Sequence, residues 1–216
     1  MKNIVFIAPP SAGKGTQSDL LVKNLGYEHI STGDLFRAEV ASGSELGQEL
    51  DREMKLGNLI SDDITARLLK TKLSSSDKPF VLDGFPRNLS QAENLNSYLE
   101  EVGKKVEVAI FLDISENEAM RRACGRATCP DCNFIYQIYD ECLKPKVDGI
   151  CDHCSAEIAT RSDDNEETFK KRFQTYMDNT APLLDFYEKE GLLARVPIKD
   201  DSTPEVTFEK IKEIIL

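Results

Sequence analysis

The stretch Ala8-Pro9-Pro10-Ser11-Ala12-Gly13-Lys14-Gly15-Thr16 decides the fold of this 216-residue chain. It follows an apolar run at residues 4–7 and precedes a segment with leucines at helical spacing. Strand, turn and helix N-terminus therefore come in the order that a phosphate-binding loop requires. Backbone N–H groups of such a loop point at a phosphate, and the helix dipole adds partial positive charge. Because Lys14 supplies a full charge, residues 11–16 are predicted to bind the phosphates of a nucleoside triphosphate.

This loop departs from the general phosphate-loop pattern in two places. Ala8 stands where the pattern has glycine, and the hydroxyl of the pattern comes one position late, at Thr16 after Gly15. Ala8 and Ser11 must also accept the loop conformation without the freedom of glycine. An ordinary glycine-containing turn between a strand and a helix is the alternative interpretation of the stretch taken alone.

The composition indicates an acidic globular protein. Lys and Arg number 27 against 38 Asp and Glu, for a net charge of −11, and 40% of the residues are hydrophobic. This charge argues against a nucleic-acid or anionic-membrane partner, which would bind a basic face. No apolar run approaches a membrane span and the N-terminus is too short for a signal-peptide core, so the protein is predicted to be soluble and cytoplasmic. The length suits one main α/β domain with insertions.

Five strand-like segments alternate with helical patterns. They lie at residues 4–7, 28–30, 79–83, 106–113 and 193–196. Strands that alternate with helices predict a parallel sheet covered on both faces.

Two regions do not fit this alternation and are interpreted as insertions on the sheet core. Residues 31–60 are helical and contain no strand, whereas residues 126–164 are irregular, charged and contain cysteines. The core then comprises residues 1–30, 61–125 and 165–216.

Local signals predict several helix boundaries. Ser115 followed by Glu118 forms a capping box that opens a helix running to about Gly125. Ser61, which precedes two aspartates, opens another helix.

The longest helical pattern covers residues 165–190. Pro182 is expected to kink or divide it. Asp163 and Asp164 stand just before this pattern and are expected to cap its helix, with a hinge as the alternative.

Four cysteines form two C-x2-C pairs that are separated by eighteen residues: Cys129-Pro130-Asp131-Cys132 and Cys151-Asp152-His153-Cys154. In a reducing cytosol, cysteines are thiols or metal ligands rather than disulfides. This spacing predicts a zinc-ribbon site, and four thiolates leave no open position, so the metal is expected to be structural. The alternatives are four unliganded thiols, or His153 in place of Cys151 or Cys154.

The segment between the two cysteine pairs does not favour nucleic-acid binding, which is another common role of zinc ribbons. Residues 133–150 carry two lysines against three acidic residues and have no basic stripe. The region is therefore interpreted as a small flap that the metal stabilises, because so short an insertion cannot bury enough apolar surface alone. Cys124 and Cys142 lie outside the pattern and are interpreted as ordinary small apolar residues.

Five motifs stand in order along the chain. They are Gly13-Lys14-Gly15-Thr16, Ser31-Thr32-Gly33-Asp34-Leu35-Phe36-Arg37, Leu82-Asp83-Gly84-Phe85-Pro86-Arg87 with Gln91, Gly125-Arg126, and Arg161-Ser162-Asp163-Asp164 leading to Arg172. In this order and spacing the chain resembles, over essentially its whole length, bacterial adenylate kinases of the long-lid, zinc-containing type. The resemblance implies a doubly wound, parallel five-stranded sheet of the P-loop NTPase type. It also implies a helical AMP-binding insertion at residues 31–60 and a zinc-ribbon lid at residues 126–164.

The resemblance also implies a reaction, which is the reversible transfer of the terminal phosphoryl group of ATP to AMP to give two ADP. It implies Mg²⁺ with ATP, a structural Zn²⁺, and a monomer without nucleic-acid or membrane partners. A kinase for UMP or CMP is the alternative, although pyrimidine relatives usually carry alanine where Thr32 stands and have a short lid. A GTPase-type switch is disfavoured because the chain contains no Asn-Lys-x-Asp motif.

The resemblance assigns roles residue by residue. The ATP contacts that it implies are Ser11, Ala12, Gly13, Lys14, Gly15, Thr16, Arg126, Ile135, Tyr136 and Thr203. The AMP contacts are Thr32, Arg37, Asn58, Leu59, Ile60, Gly84, Phe85, Pro86, Arg87, Gln91, Arg161 and Arg172. The catalytic cations are Lys14, Arg87, Arg122, Arg126, Arg161 and Arg172. Asp83 would orient magnesium through water.

Arginine suits the chemistry that the resemblance implies. Negative charge spreads over the oxygens of the transferred phosphoryl group, and the planar guanidinium binds phosphate in a bidentate manner while staying charged. The alternative for any one of these arginines is an ordinary surface ion pair. Ala127 replaces a second arginine of many family members, as Ala8 and Ser11 replace loop glycines. We expect these three departures to alter affinity rather than to abolish activity.

Overall fold

Strands and helices alternate in the computed structural model, which describes residues 1–56, 58, 60–74, 77–199 and 202–216. In chain order the elements are β1 (Ile4–Ile7), α1 (Lys14–Leu25), β2 (Glu28–Ser31), α2 (Thr32–Ala41), α3 (Glu45–Leu56), α4 (Asp62–Leu73), β3 (Phe80–Asp83), α5 (Leu89–Glu101), β4 (Val108–Asp113), α6 (Glu116–Cys124), β5 (Arg126–Thr128), β6 (Ile135–Gln137), α7 (Glu166–Thr175), a π-helical turn (Tyr176–Thr180), α8 (Leu183–Lys189), β7 (Leu193–Pro197) and α9 (Pro204–Ile215). None of the described helices has the length and apolar character that a membrane span requires.

The five strands expected from the sequence form one parallel sheet in the order β2-β3-β1-β4-β7. β1 lies at the centre, where Ile4 pairs with Val81 of β3 and with Val108 of β4. All four residues of β1 are apolar and buried, because crossover helices cover both faces of a parallel sheet. The prediction of a five-stranded parallel sheet is confirmed.

Successive side chains of β1 point to opposite faces of the sheet and enter different hydrophobic cores. Phe6 packs in one core with Leu21 of α1 and Ile211 of α9. Ile7 packs in the other core with Leu95 of α5. Because helices bury both faces, the doubly wound arrangement is confirmed.

Helices α4 and α6 begin where the sequence predicts, but the polar side chains at their starts form different hydrogen bonds from those predicted. The Ser115 hydroxyl accepts a hydrogen bond from the Glu118 N–H at 3.3 Å and caps α6. The other half of the capping box is not formed, because the Glu118 carboxylate accepts hydrogen bonds from Arg121 Nε at 2.8 Å and Arg122 Nε at 2.7 Å. Ser61 precedes α4 as predicted and makes no side-chain cap bond.

The long helical pattern of residues 165–190 is divided by the π-helical turn as well as at Pro182, which stands immediately before α8. Asn165 caps α7, since its Oδ1 accepts a hydrogen bond at 2.9 Å from the N–H three residues later. The prediction that Asp163 and Asp164 cap this helix is wrong, because both carboxylates bind arginines instead.

The two regions interpreted as insertions, residues 31–60 and 126–164, each have their own packing. The start of α3 lies against the end of α2 so closely that a Cβ added at Gly47 would be 2.4 Å from the Glu39 carbonyl oxygen. In the second insertion β5 pairs antiparallel with β6, and a further bridge joins Thr128 to Ala159. Residues 126–164 are therefore not irregular throughout, as the sequence pattern had indicated, but contain a small antiparallel β-structure.

Candidate active site

A cavity of about 860 Å³ opens at the carboxyl ends of β1 and β3, and we call it the cleft. It is lined by parts of the loop at residues 8–16, by parts of residues 31–60 and by Asp83, Gly84, Pro86 and Arg87. Residues near both ends of the 126–164 insertion, within 126–137 and 159–163, complete the lining. In open parallel sheets, ligands bind at this edge. The cleft thus brings together the sheet core and both insertions.

The phosphate loop shapes one side of the cleft. Gly13 has a φ of 96° and Ser11 a φ of 60°, so two residues adopt the left-handed conformation that glycine favours. The helix α1 begins at Lys14, and its N-terminus lies at the cleft. Lys14 Nζ donates hydrogen bonds to the carbonyl oxygens of Ala8 at 3.2 Å and Pro9 at 3.1 Å, which folds the side chain back over the loop.

Cations concentrate on the cleft of a chain whose net charge is −11. The lysine and arginine residues that line it are Lys14, Arg37, Arg87, Arg126, Arg161 and Arg172, and His29 lines it as well. Burial lowers the pKa of Lys14 to about 8, with Asp83 opposing this change and the neighbouring arginines adding to it. Burial and the charge of Arg172 lower the pKa of Arg87 to about 10. Cations that repel one another in this way favour binding of a polyanion.

Several cleft arginines are paired with carboxylates. Arg126 Nε donates to Asp164 Oδ2 at 2.7 Å, and the Asp164 side chain is only 1% exposed. Arg172 Nη1 donates to Asp163 Oδ2 at 2.9 Å. Arg37 pairs with the aspartate three residues before it. The carboxylates hold the guanidinium groups in fixed positions around the cleft.

Asp83, at the end of β3, forms a second charged cluster together with His29 and Asp19. His29 of β2 lies between two aspartates, with Nδ1 3.6 Å from Asp19 Oδ1 and Nε2 3.7 Å from Asp83 Oδ2. Burial would lower the pKa of His29, but the two carboxylates outweigh it and raise this pKa to about 9. Burial would raise the pKa of Asp83, but His29 and Lys14 outweigh it and lower this pKa. The cleft therefore contains an ionised Asp83.

A smaller polar pocket adjoins the cleft between α2, α4 and the start of α5. Thr32 Oγ1 donates to the Gly84 carbonyl oxygen at 2.9 Å, and Arg87 Nε donates to the same oxygen at 2.7 Å. Gln91 Oε1 accepts from the Arg87 N–H at 2.6 Å, and Gln91 Nε2 donates to Asp62 Oδ1 at 2.6 Å. This network fixes the polar side chains that face the pocket.

The four cysteines of the two C-x2-C pairs meet in the second insertion. Their sulfur atoms all lie within 4.8 Å of one another. The Sγ atoms of Cys129 and Cys154 are 3.3 Å apart, and those of Cys132 and Cys151 are 3.5 Å apart. Four sulfurs at about 2.3 Å from one Zn²⁺ would be separated by similar distances. Donor set and spacing thus fit a tetrahedral zinc site.

Comparison with known proteins identifies the family. A family model described as “Adenylate kinase” matches residues 6–192, which is most of the chain. The chain belongs to the adenylate kinase family. It is therefore an enzyme of the phosphotransferase class, and the resemblance drawn from the five motifs is confirmed.

Individual adenylate kinases are similar over nearly the full length. That of Thermosipho melanesiensis is 42% identical over 196 residues, which cover 90% of this chain and 91% of the relative. That of Clostridioides difficile is 40% identical over 210 residues, which cover 96% of this chain and 95% of the relative. That of Thermodesulfovibrio yellowstonii is 44% identical over 195 residues, which cover 89% and 90%.

Most residues to which the adenylate kinase resemblance assigns a role lie around the cleft. Those that line it are Ser11, Ala12, Gly13, Lys14, Gly15, Thr16, Arg37, Asn58, Ile60, Gly84, Pro86, Arg87, Arg126, Ile135, Arg161 and Arg172. Thr32 and Gln91 line the smaller pocket. Leu59 lies outside the described residues.

Four assigned residues are not brought to the cleft. Phe85 is buried in the core on one face of the sheet. Arg122 binds Glu118, and Thr203 caps α9. Tyr136 turns away from the cleft because neighbouring strand residues face opposite sides, and its hydroxyl lies 3.4 Å from Cys151 Sγ.

The structure adds site residues that sequence reasoning did not identify. Asp163 and Asp164 are partners of arginines, and Asp62 is a partner of Gln91, although the sequence had indicated helix starts at all three. His29 carries no local signal, because its role depends on Asp83, which is distant in sequence.

Proposed function

We propose that this protein catalyses the reversible, Mg²⁺-dependent transfer of the terminal phosphoryl group of ATP to AMP, giving two ADP. The observation that supports the proposal most directly is one cleft that is lined both by the phosphate loop and by the side chains of one lysine and five arginines. Lys14 and the phosphate loop line one side, and Arg87 and Arg37 line another. Two nucleotides bound from these sides would meet with their phosphates between the arginines.

ATP is proposed to bind at the phosphate loop. Backbone N–H groups of residues 11–16 and the N-terminus of α1 would contact its phosphates. Lys14 Nζ, which donates hydrogen bonds to two carbonyl oxygens, would bind a phosphate oxygen in addition. Arg126 and Ile135 face the cleft from the second insertion and would cover the nucleotide.

AMP is proposed to bind where the smaller pocket joins the cleft. Arg37 and Arg87 would hold its phosphate, and Arg87 is already oriented by its hydrogen bond to Gly84. Thr32 and Gln91 line the pocket beside them and would face the adenosine part. The polar groups there are fixed before binding, which lowers the entropy lost on binding.

The residues of the chain would act mainly by positioning and by charge. The arginines stabilise the negative charge that spreads over the transferred phosphoryl group. No general base is required, because the phosphate of AMP is already anionic. Asp83 is proposed to orient a magnesium ion through water, and the metal would neutralise phosphate charge while it is bound.

Closure of the second insertion is proposed to exclude water, because an open site would allow hydrolysis of ATP. Two arginine–carboxylate pairs lie at the ends of this insertion. Arg126 pairs with Asp164 and so joins its two ends, whereas Asp163 pairs with Arg172 of α7. Phosphate oxygens compete with these carboxylates for the same guanidinium groups. Nucleotide binding would therefore change the pairing of residues that flank both ends of the insertion.

The metal site is proposed to be structural. Cys129, Cys132, Cys151 and Cys154 would hold Zn²⁺, and four thiolates leave no position for a substrate. We also propose the division into a core (residues 1–30, 61–125 and 165–216), an AMP-binding insertion (31–60) and a lid (126–164). We further propose that the protein is a monomer and that it is located in the cytoplasm.

A coupled assay for ADP tests this function directly. ATP and AMP together should give ADP in the presence of Mg²⁺, and omission of Mg²⁺ should abolish most of the rate. Replacing AMP with CMP, UMP or GMP should lower the rate strongly. Faster turnover with UMP or CMP would instead assign the protein to pyrimidine nucleotides, and no ADP from any acceptor would overturn the proposal.

A further inference from the structure

Ser11 combines two unfavourable features at the cleft. Its φ of 60° lies in the region that glycine favours, and its buried hydroxyl has no hydrogen-bond partner among the described residues. Ser11 nevertheless lines the cleft in the same loop as Lys14. Strained residues and unpartnered buried polar groups occur mainly where function compensates for their cost.

We propose that the Ser11 hydroxyl binds the donor nucleotide, by donating a hydrogen bond to one of its phosphate oxygens. This inference rests on the proposed function and deepens it, because it adds a side-chain ligand to the backbone N–H groups of the loop. A change of the χ1 rotamer re-aims Oγ without moving the backbone. The hydroxyl has one donor hydrogen, and a phosphate oxygen is a strong, charged acceptor.

The surroundings of Ser11 favour a phosphate over a partner from the protein. The nearby Lys14 amine already occupies the carbonyl oxygens of Ala8 and Pro9. The cleft carries an excess of cations, among them Lys14 and Arg87 with lowered pKa values, and a polyphosphate would stabilise their charges. The Ser11 hydroxyl lacks an acceptor, and a phosphate oxygen is the acceptor that the cations of the cleft would bring close to it.

Ser18 provides a matched comparison within the same helix and loop unit. Its hydroxyl is also buried and without a hydrogen-bond partner among the described residues, but Ser18 does not line the cleft. Ser11→Ala and Ser18→Ala each remove a buried hydroxyl that has no hydrogen-bond partner among the described residues. Only removal of the Ser11 hydroxyl should change the affinity for ATP.

The test is calorimetric titration of ATP, and separately of AMP, into the unmodified protein and the variants Ser11→Ala, Ser11→Gly and Ser18→Ala. ATP affinity should fall on the order of tenfold in both Ser11 variants, as for loss of one hydrogen bond to a charged group. AMP affinity should stay unchanged. The melting temperature without nucleotide should be no lower than in the unmodified protein, because each variant removes an unpartnered hydroxyl. Ser18→Ala should bind ATP normally.

Equal or tighter ATP binding by Ser11→Ala and Ser11→Gly would overturn the inference while leaving the proposed function intact. A loss of ATP affinity accompanied by a lower melting temperature and weaker AMP binding would also overturn it, because it would show a general structural role. Absence of ATP binding by the unmodified protein would contradict the proposed function, and the inference with it.

Discussion

Replacement of His29 by asparagine should make the stability of the protein less dependent on pH. His29 lies between Asp19 of α1 and Asp83 of β3, and the charges of Lys14 and Arg87 also act on Asp83. Asparagine remains polar but cannot take up a proton. The variant therefore removes the charge of the imidazolium from between the two carboxylates.

The magnitude follows from the pKa. The pKa of His29 is about 9 in the folded protein, whereas the ordinary pKa of histidine is 6.5. At about 1.4 kcal/mol per pKa unit, the difference corresponds to about 3 kcal/mol of stability. Because the Asp19 side chain is 72% exposed and water screens its share, we expect about 1–2 kcal/mol. Since the folded-state pKa is the higher one, this stabilisation is complete below about pH 6.5 and is lost as pH rises through about 9.

Urea unfolding at a series of pH values measures the effect. The free energy of unfolding of the unmodified protein should exceed that of His29→Asn by about 1–2 kcal/mol near pH 6, and by little near pH 9.5. Asp19→Asn serves as the control, because it removes only the exposed carboxylate and should cause a smaller change with the same pH dependence. A difference that is constant with pH, or that grows toward high pH, would refute the reasoning.

Three further experiments test the cleft arginines, the metal site and the backbone at Gly84. Arg87→Ala and Arg126→Ala should each lower kcat by about a hundredfold or more in the coupled assay, as for other preorganised charge contacts, and near-normal turnover would remove that arginine from the catalytic site. Chelation of the metal should lower the melting temperature by more than it lowers the rate at low temperature, and unchanged melting would count against a structural metal. Gly84→Ala should lower the free energy of unfolding by about 1–3 kcal/mol, because Gly84 has a φ of 83° and a Cβ there would lie 2.7 Å from Thr32 Oγ1. Gly103→Ala isolates the backbone strain, since Gly103 has a φ of 67° with open space around it, and an equal loss in both variants would exclude the steric contribution at Gly84.

The sheet could be predicted from the sequence because its determinants are local. Strands buried on both faces, such as β1 and β4, are continuous apolar runs, and the phosphate loop marks where β1 passes into α1. The cysteine pairs were equally informative, since metal ligands must recur at spacings that a tight turn allows. These features depend on neighbours in the chain and not on the fold.

The pairing of charged side chains could not be predicted in the same way. Asp164 lies next to a helix start, and local rules favour it as a cap, but a guanidinium 38 residues away in sequence binds it more strongly than a backbone N–H would. The partners of His29 and of Gln91 likewise come from other elements. Tyr136 shows a related difficulty, because a motif identifies a strand position without indicating which face of the strand meets the ligand.

Ile135 and Tyr136 are adjacent on β6, yet one faces the cleft and the other accepts a hydrogen bond from the Asp152 N–H beside the cysteine cluster. A single peptide unit therefore separates the side of this strand that faces the cleft from the side that faces the cysteine sulfurs. The zinc ion proposed for these cysteines would therefore steady, through the Tyr136 hydroxyl, the strand that carries Ile135 to the cleft.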